Sequence, residues 1–254
     1  MEWYRTDADY TELMKDLEQL FIYLFHSLQN NSHSRENGNL YNEWIPGQAR
    51  DDNSLTYQGK MVNLAPPWER VSITEAFERW AHLDLTKLLE DQPMREEARK
   101  KGYQVMEKTT WEEAFNQIYL NEIEPNFPSD RPLILYDYPL ALASISRKKQ
   151  SDPRFAERFE LYIGNLELAN CFSELADWKE QELRFDMEQK ERVRLGKIRY
   201  PSDTDFIDAL KMGLPLCAGG ALGVDRLVML FANAKTIQET LFFPADEMWE
   251  ESDK

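Results

Sequence analysis

Apolar residues follow helical spacing close to the start of the chain. Tyr, Leu, Met and Phe side chains recur every three or four positions between residues 10 and 28, which is the period of one face of a helix. Asp9, with Glu12 three residues later, offers a capping start. The pattern predicts an amphipathic helix from about Tyr10, preceded by the end of a strand at residues 2–4.

The periodicity disappears between about residues 30 and 60, where Asn, Ser, Gly, Asp and Arg dominate. A structureless segment of this length is uncommon inside a compact domain. Residues 42–52 resemble the translation of mobile palindromic repeats found within some bacterial genes. We therefore expect a disordered, exposed insertion at about 30–60 with no chemical role, and a substrate lid is the alternative.

Regular patterns resume at Ser72, which precedes a predicted helix as an N-cap, and residues 85–123 are mainly helical in pattern. The apolar run 131–139, bounded by prolines, predicts a buried strand. Residues 178–197 and 203–211 predict two further helices, the first of them highly charged.

Between residues 158 and 177, apolar and polar residues alternate on both sides of Gly164-Asn165. Alternation around a two-residue turn of this type predicts an antiparallel hairpin. Glu160, Glu167 and Glu174 lie seven residues apart on or just beyond it. Buried carboxylates need a cation, a metal or hydrogen bonds, and a solvated sheet face is the simpler alternative.

The parity of the second strand groups some of its polar residues on one face. Asn170 and Phe172 share the parity of Glu174, and an amide, an aromatic ring and a carboxylate together would suit a ligand with an ammonium group. Glu167 has the opposite parity, so it reaches the same pocket only if a bulge or bend intervenes.

A glycine-rich stretch at 219–223 leads into an apolar helix that runs through Phe231. Its glycines allow a flat or phosphorylated ligand to approach the backbone closely, although its spacing matches neither the P-loop nor the dinucleotide fingerprint. Arg226, at the start of the helix, could pair with a phosphate. A salt bridge to a nearby carboxylate is the alternative for this side chain.

The composition limits the classes of partner that the protein is expected to bind. The 30 Lys and Arg against 46 Asp and Glu give a formal net charge of −16, and such a surface repels phosphate backbones at long range. Cys171 and Cys217 have no metal-ligand or disulfide-framework spacing. Without an apolar leader or an eighteen-residue apolar run, we expect a cytoplasmic protein that does not span a membrane.

Several of these segments resemble one family. Residues 219–227, Gly-Gly-Ala-Leu-Gly-Val-Asp-Arg-Leu, resemble motif 3 of the class II aminoacyl-tRNA synthetases. Residues 158–160 and 167–175 resemble the lysine-binding hairpin of lysyl-tRNA synthetases, 137–139 the strand before it, and 2–4 the end of motif 2. The resemblance covers nearly all of residues 1–254 except the insertion. It implies a single α+β domain, with an antiparallel sheet flanked by helices.

The resemblance also implies roles for individual residues. Glu160 and Glu167 would hold Mg²⁺ and ATP, Gly223 would contact the nucleotide, and Arg226 would bind ATP as the catalytic residue. The implied lysine pocket is lined by Glu2, Tyr4, Asn170, Phe172, Glu174 and Ala221.

Ala221 separates two subfamilies, because lysyl-tRNA synthetases have Gly at this position. The chain resembles instead the ligases that attach (R)-β-lysine to elongation factor P, which also lack the anticodon-binding domain. That resemblance implies a lysine or β-lysine substrate, elongation factor P as partner and no use of tRNA.

The chain departs from the family pattern before Glu2. Motif 1, which builds the homodimer interface of the family, is lacking, and so is the first part of motif 2 with its Arg-Asn-Glu. A misplaced start, a fragment and a decayed copy are the three explanations, and the competence of the chain stays open. A non-catalytic binding remnant and a lysyl-tRNA synthetase fragment are the competing interpretations.

Overall fold

The computed structural model describes residues 1–33 and 53–244, and side chains throughout these ranges except at 30–33. The strands are β1 (Glu2–Thr6), β2 (Ser54–Tyr57), β3 (Lys60–Asn63), β4 (Glu69–Ser72), β5 (Leu133–Pro139), β6 (Phe155–Ile163), β7 (Leu166–Ser173) and β8 (Cys217–Leu222). The α-helices are α1 (Tyr10–His33), α2 (Ile73–Ala76), α3 (Asp91–Lys100), α4 (Trp111–Ile118), α5 (Trp178–Arg194), α6 (Thr204–Lys211) and α7 (Val224–Ala232). Two π-helical turns, Phe77–Ala81 and Tyr119–Ile123, continue α2 and α4.

Six strands form one sheet in the order β1-β8-β7-β6-β5-β4, and β2 and β3 form a separate hairpin. All neighbours in the large sheet are antiparallel except β4 and β5. The predicted α+β class, an antiparallel sheet flanked by helices, is confirmed. Nowhere in the described ranges is a helix both long and apolar enough to cross a membrane.

One face of the sheet is covered by α1. Leu13, Leu17, Phe21 and Phe25 recur at helical spacing and are fully buried, as the apolar stripe predicted. They pack with inward residues of β6, β7 and β8 and with the β2–β3 hairpin in one apolar cluster. We call this side the α1 face.

The opposite face is covered only in part. A second apolar cluster, built mainly from α2 to α4 and the π-helical turns, packs on residues of β4, β5 and β6. The strands β7, β8 and β1 contribute no residue to that cluster, and on this side Glu2, Tyr4 and Ala221 are exposed. This area, which the described residues leave uncovered and which we call the open face, is where the predicted lysine-pocket residues lie.

The predicted N-cap Ser72 is confirmed, and the start of α4 is capped in the same way. Ser72 and Glu75 form a reciprocal capping box before α2, and Thr110 and Glu113 form another before α4. Each pair satisfies two backbone N–H groups that a helix end leaves without partners.

The predicted insertion at about 30–60 is too wide. Helix α1 continues to His33, and residues 54–63 form the β2–β3 hairpin, whose Leu55 and Val62 are buried in the α1-face cluster. The hairpin is stabilised by this long-range packing, which local composition did not reveal. The rest of the predicted insertion, residues 34–52, lies outside the described residues.

Candidate active site

Strand register aligns the predicted lysine-pocket residues on the open face. Glu2 pairs with Ala221, Ala221 with Asn170, and Asn170 with Glu160, so four adjacent strands contribute one row. Directly opposed residues of neighbouring strands point to the same side of a sheet. Residues that are far apart in sequence thus share one surface.

A second row lies two residues away, formed by Tyr4, Gly219, Phe172 and Arg158. The strand parity predicted that Phe172 shares the face of Asn170, and the register confirms it. Glu174 follows β7 and lies beside this row.

The bulge that Glu167 requires is present. Leu161 pairs with Ala169, but the next pair is Tyr162 with Glu167, so Leu168 is an additional residue on β7. Leu168 and Ala169 both pack into the α1-face cluster, which turns Glu167 to the open face. An extra residue of this kind changes the side to which the following residues point.

The side chains of Tyr4 and Glu174 both lie directly above Gly219 of β8. A Cβ at position 219 would collide with Oε1 of Glu174 and would lie 2.8 Å from Cε1 of Tyr4. The absence of a Cβ at Gly219 therefore lets both side chains occupy the space above β8. Tyr4 itself is 68% exposed, so one wall of the pocket is open to solvent in the described structure.

The carboxyl group of Glu174 is half-buried, and burial raises its pKa to about 7. Ion pairs within the described ranges do not include Glu174. Its negative charge in turn raises the pKa of the Tyr4 hydroxyl. A partly desolvated carboxylate without a cation is an electrostatic cost, which a cationic ligand would offset.

Glu160 is more enclosed than the sequence suggested. Its side chain is buried, Oε2 accepts hydrogen bonds from the Tyr138 and Tyr162 hydroxyls at 2.6 Å each, and Oε1 accepts one from Nη2 of Arg158 at 2.7 Å. Arg158 also donates to Oδ1 of Asn170 and to the carbonyl oxygen of Leu142. The alternative of a solvated strand face does not hold for Glu160.

Arg226 lies next to Glu167, at the start of α7. Its Nη1 donates to the main-chain oxygen of Glu167 at 2.7 Å and lies 3.7 Å from Oε2. The backbone N–H of Gly223 donates to the Leu168 oxygen at 2.8 Å. The open alternative for Arg226, a salt bridge to a nearby carboxylate, is therefore what this structure contains, and the side chain stays 47% exposed.

The carboxylate oxygens of Glu160 and Glu167 are ligands of the kind that magnesium prefers when a nucleotide supplies further oxygens. Burial and the nearby charge of Glu160 raise the pKa of Glu167, so the two carboxylates repel each other and a cation would relieve that repulsion. Within the described ranges, no group of three or more His, Cys, Asp or Glu could hold a metal alone. Glu160 and Glu167 fit a metal that arrives with phosphates, and they do not form a complete protein cage.

Five further residues belong to the site and had no predicted role: Arg158, Tyr138, Tyr162, Tyr119 and Glu124. Arg158 and Tyr138 contact Glu160 directly, and Tyr119 reaches it through Tyr162, since the Tyr119 and Tyr162 hydroxyls lie 3.1 Å apart. Glu124 follows the π-helical turn, and burial together with the charge of Glu160 raises its pKa. The segments 137–139 and 158–160, which resemble the family, were the available signals, and they gave no role for Tyr138 or Arg158.

An antiparallel sheet with carboxylates and a glycine-rich strand on one open face has the features expected of a class II synthetase domain. Residues 1–247 match the family described as tRNA synthetases class II (D, K and N). Because the match covers nearly all of its length, the chain belongs to this family.

Similar proteins are lysine–tRNA ligases. The enzyme of Moorella thermoacetica is 30% identical over 244 residues, which cover 96% of this chain and 45% of that protein. The Oceanobacillus iheyensis enzyme is 31% identical over the same shares, and the Shouchella clausii enzyme is 36% identical over 75% of this chain and 38% of its own length. The chain thus spans less than half the length of these relatives.

Proposed function

We propose that the open face binds a lysine-type substrate and activates its carboxylate with ATP as an adenylate. The observation that carries this proposal is the half-buried Glu174, which has no cationic partner among the described side chains and lies against Tyr4 above Gly219. An ammonium group of the substrate would supply the missing cation.

The pocket would bind both ammonium groups of such a substrate. Glu174 would bind one ammonium group, and Glu2, which is exposed in the next row, would bind the other. Phe172 and Tyr4 supply apolar contact for the carbon chain, and Asn170 supplies an amide at the centre. A ligand with two ammonium groups needs more than one carboxylate, which this face provides.

In the activation step, a substrate carboxylate oxygen attacks the α-phosphorus of ATP, and the bond to pyrophosphate breaks. Arg226 is the cationic group that we assign to the nucleotide, which would require its guanidinium to leave Glu167. Gly223 lets the nucleotide approach the start of α7, and Glu160 with Glu167 would hold the magnesium. Magnesium, when bound with ATP, offsets the negative charge that develops on the phosphates.

We further propose (R)-β-lysine as substrate and a lysine side chain of elongation factor P as acceptor, with tRNA disfavoured. Ala221 supports the first choice, because its methyl group lies on the open face between Glu2 and Asn170. The net charge of −16 argues against a polyanionic acceptor. The unpaired, buried thiols of Cys171 and Cys217 accord with the reducing cytoplasm.

ATP–pyrophosphate exchange with (R)-β-lysine and with α-lysine tests the proposal. We expect exchange with the purified chain, a preference for the β isomer, and a reversal of that preference in Ala221→Gly. Exchange that needs added tRNA would favour the lysyl-tRNA synthetase fragment instead.

The binding remnant is the second candidate, and lysine binding measured by calorimetry separates it from the enzyme. A folded chain could bind lysine without catalysing exchange and lose that binding in Glu174→Gln. This result would contradict the enzymatic proposal and favour the remnant. If a folded chain showed no lysine binding and no exchange, both the enzymatic proposal and the binding remnant would be contradicted.

A further inference from the structure

Tyr136 and Tyr138 lie two residues apart on β5, yet they point to opposite faces of the sheet. Tyr136 packs against the α1-face cluster, and Tyr138 belongs to the cluster on the other side. In a regular strand, residues two apart share a face. The pairing of β5 with β6 changes register between these two tyrosines, which accounts for the difference.

Asp137 is the residue at which the strand changes direction. Its φ is 60°, in the left-handed region that is uncommon for residues other than glycine. Its Oδ1 accepts a hydrogen bond from the Tyr10 hydroxyl of α1 at 2.8 Å, and its Oδ2 pairs with Lys149. Helix α1 therefore holds the irregularity in place from the opposite side of the sheet.

The redirected Tyr138 completes a set of donors around Glu160. Tyr138 and Tyr162 both donate to Oε2, and Arg158 donates to Oε1. Because the Tyr162 hydroxyl proton is used on Glu160, its oxygen accepts from Tyr119. Helix α4 and its π-helical turn thus reach the carboxylate through Tyr119.

These bonds leave a specific part of Glu160 available. A carboxylate has about four lone-pair positions, two on each oxygen. Two hydrogen bonds occupy Oε2 and one occupies Oε1, so one position remains, on Oε1. Rotation of the carboxylate would break all three bonds together.

We propose that Tyr138 and Tyr162 are positioning residues, which orient the Glu160 carboxylate so that Oε1 faces the magnesium bound with ATP. The left-handed conformation of Asp137 directs the Tyr138 side chain toward Glu160 for this purpose. The inference rests on the proposed function. Hydrogen-bond partners of carboxylates that ligate metals commonly change metal affinity by about 10- to 100-fold when they are lost.

The test measures Mn²⁺ binding by electron paramagnetic resonance in the presence of a non-hydrolysable ATP analogue. Tyr138→Phe and Tyr162→Phe keep the buried rings and remove one hydroxyl each, and Tyr136→Phe is the matched control on the opposite face. We expect about tenfold weaker Mn²⁺ binding in the first two variants and an unchanged value in the control. The affinity for lysine should stay within about twofold in all three variants, because none of these hydroxyls bonds to the Glu174 pocket. A general loss of structure would instead lower the lysine affinity together with Mn²⁺ binding.

Unchanged or tighter Mn²⁺ binding in folded Tyr138→Phe would overturn the inference, and tighter binding would mean that the hydroxyls compete with the metal. Failure of the wild-type chain to bind Mn²⁺ with the analogue would overturn the nucleotide part of the proposed function and the inference with it. The wild-type measurement therefore distinguishes the two failures.

Discussion

At the scale of single residues, Glu174 shows how burial sets the charge of a side chain. Its pKa, raised by desolvation to about 7, means that the folded protein holds this proton more tightly than the unfolded chain. The contribution of Glu174 to stability is therefore largest at pH values below its unfolded pKa and is lost as pH rises toward 7. An ammonium ligand reverses this preference, because it binds the ionised form.

We expect the affinity for lysine to rise with pH between about 5.5 and 8. One unit below its pKa, Glu174 is ionised in only about one molecule in ten, so binding at pH 6 must release a proton. Calorimetry in buffers of different ionisation enthalpy measures both the affinity and the protons released. Glu174→Gln should bind weakly with a flat profile, and a flat profile in the wild type would contradict the assignment.

Two adjacent glycines on β8 offer a matched pair of substitutions. A Cβ at Gly219 meets the ends of two side chains at the open face, Glu174 and Tyr4, whereas a Cβ at Gly220 meets Sγ of Cys171 at 2.6 Å and the Trp3 ring at 2.9 Å. The first pair can move into solvent, and the second is packed against α1.

Gly219→Ala should therefore lower lysine affinity by tenfold or more with little change in the free energy of unfolding. Gly220→Ala should destabilise the protein by about 1–3 kcal/mol through overpacking and affect binding less. Calorimetry and urea unfolding measure the two effects. Equal losses of binding in both variants would mean that Gly219 has no specific role in the pocket.

At the scale of elements, helix α1 shows that a regular apolar stripe is enough to predict a buried face. Phe21 is fully buried and contacts the Trp68 ring edge-on, with the ring centroids 5.5 Å apart. Tyr23, two residues later on the same helix, is 69% exposed.

We expect Phe21→Ala to lower the free energy of unfolding by about 3–5 kcal/mol, as is usual for a cavity left by a buried aromatic ring. Tyr23→Ala is the control and should change it by less than about 0.5 kcal/mol. Urea unfolding followed by circular dichroism gives both values. A small effect of Phe21→Ala would show that the α1 face repacks around the missing ring.

The β6–β7 hairpin marks the limit of prediction from sequence. Alternation and the Gly164-Asn165 turn predicted both strands, and the mismatch of parity at Glu167 predicted that a bulge was needed. The enclosure of Glu160 was not predictable, because Tyr138 reaches it only through the left-handed Asp137. In the structure, the Asp137 side chain is bonded to Tyr10 of helix α1 and to Lys149, and the contact with Tyr10 is one that no local pattern contains.

Strand order is a second feature that local patterns do not determine. The sequence predicted the end of a strand at residues 2–4 and a glycine-rich stretch at 219–223. It did not predict that these two segments pair as β1 and β8. Their pairing places Tyr4 beside Gly219, although the two residues are more than 200 positions apart in the sequence. The resemblance to a family, rather than periodicity, was the signal that assigned Glu2 and Tyr4 to the same pocket as Glu174.

At the scale of the whole molecule, the two faces of the sheet differ in how they are covered. The α1 face is closed by a continuous apolar cluster and supports the strands from behind. On the other side, the second cluster stops at β6, so no apolar cluster of the described residues covers the polar rows of β7, β8 and β1. The residues that stabilise the sheet and the residues proposed to bind ligand therefore lie on different surfaces of it.

The net charge of −16 leads to a prediction about the acceptor. Proteins that bind RNA through phosphates gain affinity from released counterions and lose it steeply as salt is added, and an acidic surface opposes that gain. We expect the chain to bind lysine tRNA with a dissociation constant weaker than about 100 μM at 150 mM salt, beyond the usual range for non-specific binding by nucleic-acid-binding proteins. Filter binding at about 150 mM salt measures this constant, a repeat at about 50 mM tests its salt dependence, and an unrelated RNA hairpin is the control. Micromolar binding that prefers the tRNA and falls with added salt would reveal a local basic surface, and it would make tRNA the better candidate for the acceptor.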